Sequence, residues 1–144
     1  MAAERTATAT WNGNLTEGSG RLHSFGSGAL PELPVTWASR AEASDGRTSP
    51  EELIAAAHAS CYCMAFSNML FKKGYTAEEL NAKAVVTFVP GTGITTSALT
   101  VRGRVPGISD HEFAATAEEA RAGCPVSEAL KGNVEITLDA ALES

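Results

Sequence analysis

Between Arg5 and Trp11 the chain alternates Ala7, Ala9 and Trp11 with Thr6, Thr8 and Thr10, and this period of two predicts a strand with one buried face. Asn12-Gly13-Asn14 supplies turn residues, and Arg21 to Phe25 predicts the returning strand of a hairpin. From Gly26 to Thr48, Pro31, Pro34 and scattered glycines and aspartate break any period. This stretch reads as loop-rich, with an edge strand at Val35 to Ala41.

The pattern then changes. Ser49-Pro50-Glu51-Glu52 carries a capping serine, a proline at the first helical position and a carboxylate three residues after the cap. A helix starting there meets no breaker until Lys72-Lys73, and Gly74 is placed to end it in the left-handed conformation. Its run of Ala55, Ala56, Ala57 and Ala59 allows close approach of another helix, so we expect it to be the buried axis of the fold. Ala82 to Val89 and Ile94 to Val105, joined by Pro90-Gly91-Thr92-Gly93, predict a second hairpin. Ser109 to Glu112 repeats the capping pattern before a second helix that ends at Gly123, with Phe113, Ala117 and Ala120 on one face. Pro125 opens a short third helix to Leu130. Finally Val134, Ile136, Leu138, Ala140 and Leu142 alternate with polar residues as a last strand. The expectation is an α+β fold with antiparallel sheet, in a single domain over residues 1–144.

Composition narrows the function. A formal net charge of −6, with only 11 Lys+Arg that are scattered along the chain, argues against a nucleic-acid partner. The most apolar stretch, Leu53 to Phe71, contains His58, Ser60, Ser67 and Asn68, which argues against a membrane span. Met1-Ala2-Ala3-Glu4-Arg5 has no basic region leading into an apolar signal core, so the expected location is cytoplasmic.

Three cysteines do not make a disulfide scaffold. Cys61 and Cys63, two positions apart on a helix, face opposite ways, and Cys63 reads as an inert core thiol. Cys124 precedes Pro125 at the N-cap of the third helix, where backbone N–H groups and the dipole favour a thiolate. Cys61 stands too far along its own helix for that help and needs an external cation. A free thiol of pKa about 8.5 is only about 3 % ionised at pH 7, and reaching about 6 takes about 3.4 kcal/mol. His58 and Cys61 have a spacing that can ligate metal, but two ligands fall short of a closed site, so no metal is expected. Phe66, Met64, Met69 and Phe88 read first as core and second as an apolar entrance.

SPEELIAAAHASCYCMAFS at 49–67, GCPVSEAL at 123–130 and the final NVEITLDAAL together resemble the OsmC/Ohr family of thiol-dependent organic hydroperoxide reductases. GCPVS and the arginine of TWASR at 36–40 are similar to its OsmC branch. The resemblance implies antiparallel sheets around long central helices in an intertwined homodimer. It also implies reduction of organic hydroperoxides, and less efficiently hydrogen peroxide, without a bound cofactor in oxidative-stress defence. Cys61 matches the peroxidatic cysteine and Cys124 the resolving one. The disulfide they form would be reduced by a small dithiol or a lipoylated protein. Glu51 matches the active-site glutamate, and Arg40 matches the arginine, with Arg47 and Arg21 as competitors.

Glu51 and Cys61 are ten positions apart, about 15 Å along a helix. If both serve one site, Glu51 comes from a second chain across a two-fold axis. Glu51 would then orient Arg40, whose guanidinium stabilises the thiolate. The competing reading is a redox-sensing or ligand-binding dimer without appreciable turnover.

Overall fold

The computed structural model describes residues 1–143. Their contacts fall into two compact units, Met1–Leu53 and the described residues from Ile54 onward.

In the first unit, β1 (Thr8–Asn12), β2 (Ser19–His23) and β3 (Leu33–Val35) form an antiparallel sheet in that order. The opening hairpin is present, with β1 beginning at Thr8 rather than Arg5 and β2 ending at His23 rather than Phe25. Trp11, on its apolar face, is 41 % exposed, and no buried hydrophobic residue among those described belongs to this unit. The edge strand expected at Val35 to Ala41 is corrected. Extended chain stops at Val35, and Trp37–Ala41 forms a short helix, α1. Thr36 decides this, because its hydroxyl accepts from the Ser39 N–H while the Ser39 hydroxyl accepts from the Thr36 N–H, a reciprocal cap that closes the first turn.

The long helix α2 (Pro50–Lys72) starts and stops where the sequence signals lie. Ser49 Oγ accepts from the Glu52 N–H at 3.1 Å. The Glu52 carboxylate accepts from Thr48 Oγ1 instead of closing the box on Ser49. Gly74, at φ +93°, ends the helix, and Tyr75 N–H returns to the Leu70 carbonyl. The expectation that α2 is the buried axis of the fold holds for only one side of the helix. His58, Tyr62, Phe66 and Leu70, each four residues on, form its buried stripe, whereas Met64 and Phe71 are about 70 % exposed. By length and composition it could cross a membrane, but that stripe forms part of the packed core of the second unit.

The second unit carries β4 (Glu79–Val89), β5 (Gly93–Arg104) and β6 (Glu135–Leu142), with β5 central. β4 pairs antiparallel with β5, but β6 lies parallel to it, from Thr96↔Glu135 to Gly103↔Leu142. The wholly antiparallel sheet is thus corrected at one pairing. α3 (Asp110–Gly123) and α4 (Pro125–Leu130) occupy the β5–β6 connection and supply the long crossover that a parallel pair needs. Ser97, Leu99 and Val101 alternate on the buried face of β5. Gly103 continues that face, where a Cβ would stand 2.9 Å from the Phe113 ring. Phe66 sits between Tyr62 and Phe113, with ring centroids 5.7 and 5.0 Å away. Replacing Phe66 with alanine is expected to cost about 3–5 kcal/mol, read as a lowered urea midpoint at fixed protein concentration.

Candidate active site

Two constellations stand out, one in each unit. In the second, α2 carries Cys61 half-buried, and Cys124 is fully buried at the junction of α3 and α4. The Cys124 backbone is held from both sides. Its N–H donates to the Ala120 carbonyl, ending α3, and its carbonyl accepts from the Glu128 N–H, starting α4. Its side chain makes no capping hydrogen bond, so the thiol is not spent on the helix end. Cys61 packs against the core cluster that contains Cys124, and the two thiols are near enough to influence each other's ionisation, with the backbone N–H of Val126, in the first turn of α4, near the Cys61 sulfur. Burial pushes the Cys61 thiol above its ordinary value and the neighbouring Cys124 adds to this, while the Val126 N–H acts the other way by favouring the thiolate. Sequence reasoning missed Val126, because a backbone donor sixty-five positions away has no side-chain signature.

Cys63 faces away, its thiol 3.8 Å from the Leu80 carbonyl, and burial raises its pKa. His58 is fully buried one turn before Cys61. Its Nδ1 lies 2.7 Å from Ser97 Oγ and its Nε2 2.8 Å from Ser127 Oγ. Both ring nitrogens are therefore engaged by hydroxyls, and His58 does not act as a partner for Cys61 in holding a metal. Of the four apolar candidates, Phe66 is core, Met69 packs against the core, Phe88 is half-buried on β4 and Met64 is exposed.

Burial lowers the His58 pKa, so the folded chain keeps the ring neutral. The unfolded chain takes up a proton below about pH 6.5 and the folded chain does so only at lower pH, so this contribution is lost as pH falls through that value. Urea midpoints should therefore drop between pH 7.5 and 5, and the drop should be smaller in His58→Gln.

In the first unit, α1 presents Arg40 to Glu51 in the opening turn of α2. Arg40 Nε lies 2.9 Å from one carboxylate oxygen of Glu51 and 3.3 Å from the other. Glu51 is 6 % exposed. The backbone carrying both groups is cross-tied, since Ser39 Oγ lies 2.8 Å from the Thr48 carbonyl and the Thr48 N–H donates to the Pro34 carbonyl. The competing arginines engage other carboxylates, Arg21 with Glu32 and Arg47 with Asp45. Beside Arg40 opens an apolar groove of about 450 Å³ lined by Ala9, Trp11, Leu22, Val35, Trp37 and Leu53. It was not legible in the sequence because its walls come from separate short strands and a helix that the pattern does not reveal.

This α+β fold, with a thiol pair between its long helix and a Cys-Pro junction, is that of OsmC-like proteins. Their family model matches residues 43–139, and the chain belongs to that family. It is 41 % identical over 147 residues to peroxiredoxin OsmC of Escherichia coli, covering all of both chains. With the organic hydroperoxide resistance protein OhrA of Bacillus subtilis it shares 30 % identity over 78 % of this chain and 77 % of that one. An OsmC-like protein from Mycoplasma pneumoniae shares the fold with a TM-score of 0.73 at 17 % identity over the whole of both chains.

Proposed function

We propose that this protein is a thiol peroxidase that reduces organic hydroperoxides, and hydrogen peroxide less efficiently, in oxidative-stress defence. The observation that carries the reading is the meeting of Cys61 and Cys124 from elements sixty-three positions apart. The names of the relatives, a peroxiredoxin and an organic hydroperoxide resistance protein, support it.

In this mechanism the Cys61 thiolate attacks the O–O bond; the sulfur takes one oxygen as sulfenic acid and the alkoxide leaves as alcohol with a proton. Cys124 then displaces hydroxide from the sulfenic sulfur, giving a disulfide and water. A small dithiol or a lipoylated protein supplies the two electrons that restore both thiols. No bound cofactor is required.

A lone protomer leaves Cys61 with its pKa raised, so a positive charge has to reach the sulfur. Glu51 stands about 15 Å from Cys61 along α2 by helix rise, and Arg40 is paired with Glu51. The Arg40–Glu51 pair therefore serves Cys61 of a second copy in a homodimer, with two equivalent sites. The open apolar face of the first unit supports association, as does the apolar groove beside Arg40, which suits an organic tail. Three unpaired thiols are compatible with a reducing cytoplasm.

Mass spectrometry after one equivalent of cumene hydroperoxide tests the assignment. A Cys61–Cys124 link, with peroxide consumed beyond stoichiometry once dithiol is added, is the expected result. A link through Cys63, or a single stoichiometric oxidation, overturns it.

A further inference from the structure

The mechanism leaves the buried imidazole of His58 unused. His58 is fully enclosed, and its two nitrogens join Ser97 on β5 to Ser127 on α4. A neutral imidazole offers one donor and one acceptor, and each hydroxyl can serve as either, so the chain Ser97–His58–Ser127 is satisfied throughout. Its place relative to the sulfurs is specific. His58 is three residues before Cys61 on α2, and Ser127 is three residues after Cys124, the residue that starts α4. The His58–Ser127 bond therefore ties together the same two helices that carry the reacting sulfurs, one turn away from them. The remaining arm, to Ser97, fixes the ring to the central strand of the sheet.

We propose that His58 is a positioning residue for disulfide formation: by holding Ser127 it keeps α4 docked on α2, with Cys124 Sγ aligned to attack the Cys61 sulfenic sulfur. This rests on the peroxidase reading above. In the step concerned, the S–S bond forms as the S–O bond breaks. The Cys124 sulfur is oxidised, the Cys61 sulfur is reduced, and the thiol proton leaves with hydroxide as water. Attack on the peroxide is driven by Cys61 and its charge partner, with the Val126 N–H of α4 as a lesser aid to the thiolate, so it depends on the α2–α4 alignment far less than disulfide formation does. A displacement of about 1 Å at a reacting atom can cost about 10²-fold.

The two arms of the imidazole allow a test that mere structural loss would not pass. Ser127→Ala cuts the arm to α4, and Ser97→Ala cuts the arm to the sheet. Each removes one buried hydrogen bond of similar length, so the thermal midpoints should fall by comparable amounts. A second pair probes the same question from the ring. Glutamine extends its amide towards the Nε2 position and can keep the Ser127 arm, whereas asparagine reaches only the Nδ1 position and keeps Ser97.

The experiment mixes reduced protein with one equivalent of cumene hydroperoxide. Sulfenic acid is trapped with dimedone, and the Cys61–Cys124 link is followed on quenched samples. Ser127→Ala and His58→Asn should slow sulfenic-acid formation only a few-fold at most, through the Val126 N–H, but slow the link by a further factor of about ten or more. The slowed variants should accumulate over-oxidised Cys61 under excess peroxide. His58→Gln should form the link about tenfold faster than His58→Asn, and Ser97→Ala should slow it far less than Ser127→Ala. Equal slowing in both serine variants, or a wild-type link rate in Ser127→Ala, overturns the proposal. If Ser127→Ala does not fold, the glutamine and asparagine pair decides, and equal link rates in that pair overturn it. Absence of any Cys61–Cys124 link in the wild-type protein overturns instead the peroxidase reading on which the proposal stands.

Discussion

Replacing Cys61 by serine is expected to reduce peroxide consumption by about 10³-fold or more, because loss of a nucleophile leaves only binding to assist the reaction. The thermal midpoint should change little, since the residue is only half-buried and the two side chains have the same shape. Cys124→Ser provides the contrast. It should retain the first oxidation and yield a dimedone adduct at Cys61, but form no intramolecular disulfide. Steady-state consumption of cumene hydroperoxide with excess dithiol, beside intact-mass measurement, checks both. Activity retained in Cys61→Ser would mean that another sulfur does the work.

Arg40→Met is expected to lower kcat/KM for an organic hydroperoxide by about 10²–10³-fold, the scale for removing one charged donor from a developing anion in a dry site. The loss has a second signature. Cys61 starts with its thiol pushed up by burial and by Cys124, so without the guanidinium its alkylation by iodoacetamide should move to higher pH. Glu51→Gln should fall in the same direction by less, since the amide can still accept from Arg40 Nε, now 2.9 Å from the carboxylate.

Complementation fixes which chain supplies the arginine. A dimer of one Cys61→Ser chain with one Arg40→Met chain contains a complete site only if Arg40 reaches the Cys61 of its partner. Random pairing of the two inactive variants should then restore about one quarter of wild-type activity, because half the dimers are mixed and each has one intact site. Zero recovery from a demonstrably mixed population would show that each chain builds its site alone.

The parts of the fold that were legible were those fixed by neighbours in the chain. Ser49, Pro50 and Gly74 bound α2 because capping and left-handed termination act over a single turn. The Ser109 cap and the Phe113, Ala117, Ala120 face define α3 for the same reason. WASRA misled because Pro31, Pro34 and the nearby turn residues suggest extended chain. The helix there depends on one reciprocal pair, Thr36 with Ser39, which competes with that background. The Ala7, Ala9, Trp11 alternation correctly predicted a strand but not its burial, since a period of two reports a face and not what covers it.

At the site, the sequence offered Cys124 as a candidate through its place before Pro125, and Cys61 only through the family resemblance. The residues that adjust them were not offered. Val126, Ser97 and Ser127 meet Cys61 or His58 across 39 to 69 positions. Local pattern encodes propensity and periodicity, not the partner chosen at that range. The amino-acid sequence by itself thus determined the helix ends, the sheet-forming segments, the thiols and the candidate carboxylate. Tertiary structure alone decided that β6 runs parallel to β5, that Arg40 rather than Arg21 or Arg47 pairs with Glu51, and that a histidine joins the two helices bearing the sulfurs. Those outcomes depend on which distant surfaces bury one another, a free energy summed over the whole chain rather than held in any one window of it.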